Sequence, residues 1–159
     1  MPRQNVTPFL WFESQAEEAA TFYVSLFKDS KIGKVTRYGE GGRGPAGTAM
    51  TVEFELAGVS YIALNGGPHY RLTEAFSLSV DCESQAEVDE LWEKLTAGGT
   101  PIRCGWLKDK YGLTWQVVPT ALPKLLCDPD PVKANRVMQA MLPMSKIDIA
   151  KLQQAYDGA

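Results

Sequence analysis

The chain has 159 residues, 16 Lys and Arg against 19 Asp and Glu, a formal charge of −3 and a pI near 5.2. That balance argues against nucleic acid or an anionic membrane surface as partner, and no apolar run approaches the ~20 residues of a membrane-spanning helix. An apolar content of 45% and a charged content of 22% are those of a soluble globular protein, at a length that supports a real core. Met1 to Asn5 lack the apolar stretch of a secretory signal. Cys82, Cys104 and Cys127 are odd in number and widely spaced, which fits neither a disulfide framework nor a zinc site. These features predict a cytoplasmic protein.

In chain order, Phe9 to Phe12 reads as a short strand. Ser14-Gln15-Ala16-Glu17 has the spacing of a capping box and opens a helix with an apolar stripe at Ala16, Ala19, Ala20, Tyr23, Leu26 and Phe27. Ile32 to Tyr38 alternates loosely as a strand. Gly39 to Gly47 holds five glycines and Pro45, without a following Gly-Lys-Ser/Thr, so it predicts a flexible lid or hairpin loop rather than a phosphate cradle. Met50 to Leu56 alternates as a half-buried strand, Ala57-Gly58 turns, and Val59 to Leu64 returns.

Ser84-Gln85-Ala86-Glu87 then repeats the earlier tetrapeptide at an offset of 70 residues, again after an apolar strand, Phe76 to Val80. Its helix carries Val88, Leu91, Trp92 and Leu95 and stops at Gly98-Gly99. Ile102 to Leu107 and Leu113 to Val118 read as strands around an Asp109–Gly112 turn. Two copies of strand–helix–strand–strand–strand suggest an internal duplication. The tail from residue 121 is helical, with Asp130-Pro131 starting one helix and Ser145 capping another.

This pattern resembles the vicinal oxygen chelate (glyoxalase/bleomycin-resistance) superfamily, and within it the PhnB-like branch labelled 3-demethylubiquinone-9 3-methyltransferase. The residues that carry the likeness are Pro8–Phe12, Ala16–Ala19, Phe22-Tyr23, Tyr61–Pro68, Ser77–Cys82, Cys104–Asp109, Tyr111-Gly112 and Trp115–Pro119. The resemblance implies an α+β fold of two βαβββ modules, 5–67 and 75–119, forming a cupped mixed sheet. Residues 1–120 would form the glyoxalase-like domain, and 121–159 a helical extension packed on it or on a dimer partner. It also implies a homodimer and a pocket between the modules.

Metal-using relatives place His, Gln or Glu ligands on the first and last strand of each module. Here those strands offer Thr7 or Phe9, no acid or histidine between Ser60 and Leu64, and Ala75 or Ser77. The ungapped Asp109–Gln116 closing motif puts Gln116 where the ligand glutamate stands. No metal and no cofactor are therefore expected. By strand parity Thr7, Phe9, Trp11, Ser77, Ser79, Trp106, Thr114 and Gln116 line the pocket, with Asn65 at its rim, a composition suited to a small organic ligand.

His69 and Glu53, with Glu55, are the candidates for acid–base chemistry, and Cys82 and Cys104 read as structural thiols. The expected function is metal-free binding of a small organic molecule. The alternatives are a lyase-, isomerase- or dioxygenase-type enzyme, the methyltransferase of the family label, and a dimeric module with a vestigial pocket. The label is disfavoured because strand hairpins stand where a methyltransferase would have a glycine-rich strand-to-helix turn.

Overall fold

The computed structural model describes residues 3–159. Its elements run β1 (Phe9–Phe12), α1 (Ala16–Leu26), β2 (Lys31–Arg37), β3 (Ala49–Leu56), β4 (Val59–Asn65), β5 (Ser77–Cys82), α2 (Gln85–Thr96), β6 (Thr100–Pro101), β7 (Trp106–Lys108), β8 (Thr114–Pro119), α3 (Ala121–Leu126), α4 (Pro131–Met141) and α5 (Ile149–Asp157). They form two compact units, 1–72 and 73–159. Each is a βαβββ module with a four-stranded mixed sheet, and the second also holds the helical tail.

In the first unit the strand order is β1-β4-β3-β2, with β1 parallel to β4 and the other pairs antiparallel. Alternation decides which side chains meet α1. Leu10, Phe12, Val52, Phe54 and Ala63 are buried against the helix face carrying Ala16, Ala19, Ala20 and Tyr23. The rings of Tyr23 and Phe54 lie 6.3 Å apart, and Phe54 stacks on Tyr61 at 5.4 Å. The opposite side of β1 presents Phe9 and Trp11, in register with Ile62 and Leu64 and, one strand further, Glu53 and Thr51. Ala57 and Gly58 both have positive φ (47° and 82°), which matches the right-handed twist of the hairpin they close.

The second unit repeats the order as β5-β8-β7-β6. Leu107, Trp115, Val117 and Cys82 are buried along with Val88 and Leu95 of α2. Of the stretch 102–107, expected as one strand, only Trp106 and Leu107 are strand, in β7, while residues 102–105 make a tight turn between β6 and β7. Cys104 and Gly105 adopt φ of 58° and 83°, and their N–H groups donate to Met144 O and Ser145 O of the tail rather than to a sheet neighbour. Asp109 holds the next turn: Oδ1 accepts from the Tyr111 and Leu113 N–H groups and Oδ2 from Trp115 Nε1 at 2.8 Å.

The two copies of the Ser-Gln-Ala-Glu tetrapeptide behave differently. Ser84 caps α2, accepting from Glu87 N–H, while Glu87 Oε2 accepts from Glu83 N–H at 2.7 Å. Ser14 caps nothing. The first free N–H of α1, on Ala16, donates to the side chain of Asn65 across the sheet. In the tail, Asp130 caps α4 ahead of Pro131 as expected, but α5 is capped by Asp148 and not by Ser145. Leu122, Val137, Ile147 and Leu152 form the tail's own core, against which Val118 of β8 packs.

Candidate functional site

The first unit contains a cavity of about 730 Å³ at the end of the sheet where β1, β2 and β4 finish. Trp11, Tyr38, Met50, Leu64, Pro45 and Pro68 supply apolar lining; Glu13, Arg37, Arg43 and His69 supply the ionisable groups. The size and mix are those of small-molecule sites. Trp11 is fixed from three sides. Its Nε1 donates to Gly67 O at 2.9 Å, Tyr70 meets it edge-on at 5.0 Å, and Gly66 lies so close that a Cβ there would sit 2.2 Å from the indole.

The glycine-rich loop forms another wall, and it is the connection of the β2–β3 hairpin, one of the two forms expected for it. Gly42 and Gly44 lie flat on the Tyr38 ring, where a Cβ would come within 3.0 and 2.5 Å of it. The Tyr38 hydroxyl donates to Asn65 O at 2.6 Å, its backbone N–H donates to Thr48 O, and its carbonyl accepts from Gly47 N–H. The glycines are there so that backbone can approach an aromatic ring, which leaves Arg43 carried between two fixed points.

Asn65, expected at the rim, does line the cavity, yet both ends of its amide serve the fold. Oδ1 accepts from Ala16 N–H and Nδ2 donates to Ala49 O at 3.0 Å. Its register with Phe12 and parity with Ala63 aim it at α1 rather than at the Trp11 side. Arg37 is paired with Glu17 at 3.1 Å, whereas the side chains of Glu13, Arg43 and His69 make no hydrogen bond or ion pair among the described residues.

A second hollow of about 510 Å³ in the same unit is lined by Thr7, Glu53, Glu55, Lys31, Ser60 and Ile62 among others. Thr7 and Glu53 therefore belong to a different recess from Trp11 and His69. Phe9 is 58% exposed. Glu55 is paired with Lys31 at 3.4 Å. The Tyr61 hydroxyl titrates above its ordinary range because burial disfavours the phenolate.

In the second unit, register brings the five expected residues onto one face. Ser77 pairs with Thr114, Ser79 with Gln116, and Trp106 with Gln116 across the antiparallel edge. Gln116 Nε2 donates to Ser77 Oγ at 2.9 Å. Thr114 is fully buried, and its hydroxyl has no hydrogen-bond partner among the described residues. Lys108, on the same face, is ion-paired with Glu74, whose carboxyl is held below its usual range by that contact. Cys82 is buried, and burial followed by the neighbouring carboxylates pushes its thiol up to about 11, which leaves it unreactive. Among the described residues no group of three or more His, Cys, Asp or Glu side chains converges. No described helix is long and apolar enough to cross a membrane.

A family model described as 3-demethylubiquinone-9 3-methyltransferase matches residues 4–118. The chain belongs to that family. The PhnB protein from Bacillus cereus is 37% identical, with a TM-score of 0.69 over 74% of this chain and all of that one. A Pseudomonas aeruginosa protein shares the fold at 20% identity and a TM-score of 0.60, over 74% of this chain and 98% of its own. FosX, a fosfomycin resistance protein of Listeria monocytogenes, shares it at 15% identity and a TM-score of 0.52, over 78% and 98%. Nothing matches among curated proteins. The two-module α+β fold is thus that of the family, and FosX shares it.

The sequence pointed to Trp11, Asn65 and, as a candidate base, His69, all of which line the larger cavity. It missed Tyr38, Arg37, Arg43 and Met50. The available signal was Gly42-Arg43-Gly44 following an aromatic at a strand end, a spacing that lets a loop fold back on a ring.

Proposed function

We propose that this PhnB-family chain captures a small organic molecule in the cavity beside Trp11, without a metal ion. The observation that carries the reading is the 730 Å³ cavity walled by an indole and a phenol, both held rigidly by hydrogen bonds to backbone carbonyls. Rigid aromatic walls favour stacking on a flat ligand at little entropic cost.

The donor set supports metal-free binding. The positions that correspond to ligands in metal-using relatives offer Thr7 or Phe9, Ala75 or Ser77, and Gln116, none of them a carboxylate or histidine, and the Gln116 amide is engaged with Ser77. Hard divalent cations need carboxylate or several convergent oxygens. The methyl-transfer activity in the family's label gains no support. β1 runs into α1 through Glu13-Ser14-Gln15 and β5 into α2 through Glu83-Ser84, with no glycine in either turn.

A second reading rests on Glu53, which shares a recess with Thr7 and a sheet face with Phe9 and so presents a carboxylate to any ligand lying there. It would serve as a general base. His69 is the weaker base, having no partner among the described residues to orient it. A homodimer fits the exposed Phe9, Phe76 and Val132 side chains.

The test is a metabolite-fragment screen by tryptophan emission and calorimetry on wild type, Trp11→Phe and Glu53→Gln, with elemental analysis of the purified protein. Ligands whose signal needs Trp11 while metal content stays near zero support capture. Turnover abolished by Glu53→Gln would transfer the function to the second recess. An equivalent of tightly held divalent metal would refute the metal-free reading. A screen with no ligand at either recess would leave the fold as an interaction module.

A further inference from the structure

We infer that the cavity beside Trp11 is built for a ligand that joins an aromatic ring to both a carboxylate and an ammonium group; this rests on the capture reading above. Arg37 is already paired with Glu17, which leaves Arg43 and Glu13 as the formal charges on the lining without a partner among the described residues. They are opposite in sign and line one cavity, yet they form no ion pair with each other. A purely anionic guest would be attracted by Arg43 and repelled by Glu13, and a purely cationic one the reverse. A guest that carries both charges is favoured by both.

Arg43 is exposed, but it lines the cavity from an anchored stretch of backbone. The glycines on either side of it lie against the Tyr38 ring, and that ring is tied to Asn65 O, so the loop presents the guanidinium from a fixed base. A planar fork matches a carboxylate with two parallel bonds. Trp11 and Tyr38 then supply the walls for the ring. The volume leaves room for a molecule larger than a single-ring amino acid.

Three probes that share one ring separate the terms: L-phenylalanine carries both charges, 3-phenylpropionate only the carboxylate, and 2-phenylethylamine only the ammonium. Binding is read on the full chain by calorimetry and by Trp11-dependent emission. Phenylalanine is expected to bind at least about tenfold tighter than either truncated probe, one bidentate charged contact being worth that factor or more. Arg43→Gln should abolish the advantage over phenylethylamine and spare the advantage over phenylpropionate; Glu13→Gln should do the converse. Equal affinity for the three probes, or a preference that neither variant moves, would overturn the inference while leaving capture at Trp11 intact. Silence from all three in Trp11 emission would remove the cavity reading along with it.

Discussion

Asn65 Oδ1 accepts the Ala16 N–H at 2.8 Å, so a residue at the end of β4 does for α1 what Ser84 does for α2 from the adjoining position in sequence. The first helix is capped across the sheet and the second locally. Asn65→Ala should therefore be costly, because it strands both Ala16 N–H and Ala49 O at ~1–3 kcal/mol for each orphaned group. Ser84→Ala should cost about 1 kcal/mol, the usual loss of a cap. Ser14→Ala should be close to neutral. Urea denaturation of the three variants reads the order; a Ser14→Ala loss that equals Ser84→Ala would contradict it.

This contrast also bears on what the amino-acid sequence discloses. The module plan, the parity of Leu10 against Trp11, and the register that gathers Ser77, Thr114 and Gln116 all follow from alternation and are readable from the chain alone. The cap of α1 is not, because its donor and acceptor are separated by 49 residues and a local motif stands ready to mislead. The same holds at 102–107. Apolar Ile102, Trp106 and Leu107 suggest a continuous strand, but the acceptors for Cys104 and Gly105 lie in the tail at Met144 and Ser145. Tyr38 and Arg43 stayed hidden since a glycine-rich loop has no period from which to read its path.

Gly66→Ala should push the Trp11 indole out of place, since the added methyl would fall 2.2 Å from the ring. A loss of about 1–3 kcal/mol is expected for such overpacking, with a shift in tryptophan emission. Trp11→Ala should weaken ligand binding more than it lowers stability, for the indole is only partly buried. Emission spectra and thermal melts of both variants decide this. Should Trp11→Ala cost the ~3–5 kcal/mol of a lost core aromatic and leave probe binding unchanged, Trp11 would be core.

The thiols should alkylate in the order Cys127, Cys104, Cys82. Cys127 is exposed and Cys104 half-buried, whereas Cys82 is enclosed with its thiol raised to about 11. At pH 8 the first should react freely and the last only on global unfolding. Mass spectrometry of a timed maleimide reaction checks the order, and early labelling at Cys82 would contradict it.

Asp89 gives the second unit an acid-sensitive clasp. Hydrogen bonds from Lys146, at 2.8 Å, and from Gln85, at 3.0 Å, hold its carboxyl below the ordinary carboxylate range. A depressed folded-state pKa contributes stability that is present above the unfolded value of 3.8 and is lost as pH falls through the lower folded one. The pair is exposed, so the effect is modest and salt-sensitive. Protection of α5 amides, measured against their intrinsic exchange rate at each pH, should fall below about pH 4 in wild type, and Asp89→Asn should show that lower protection already at pH 7. Identical profiles for the two would remove the clasp.

The hydrogen bonds from Cys104 and Gly105 to Met144 and Ser145 have a consequence for how the gene could be cut. The family match stops at residue 118, so an expression boundary placed there looks natural. Yet Val118 packs on the tail's core, Gln85 bonds Ile147 O and Ile149 N–H, and the turn before β7 borrows its acceptors from residues 144 and 145. A chain ending near 120 would keep every recognisable signature while losing partners at three separate points of one cooperative body. The recognisable signature stops at residue 118, while the bonds that complete its turns and tie down α2 reach to residue 149.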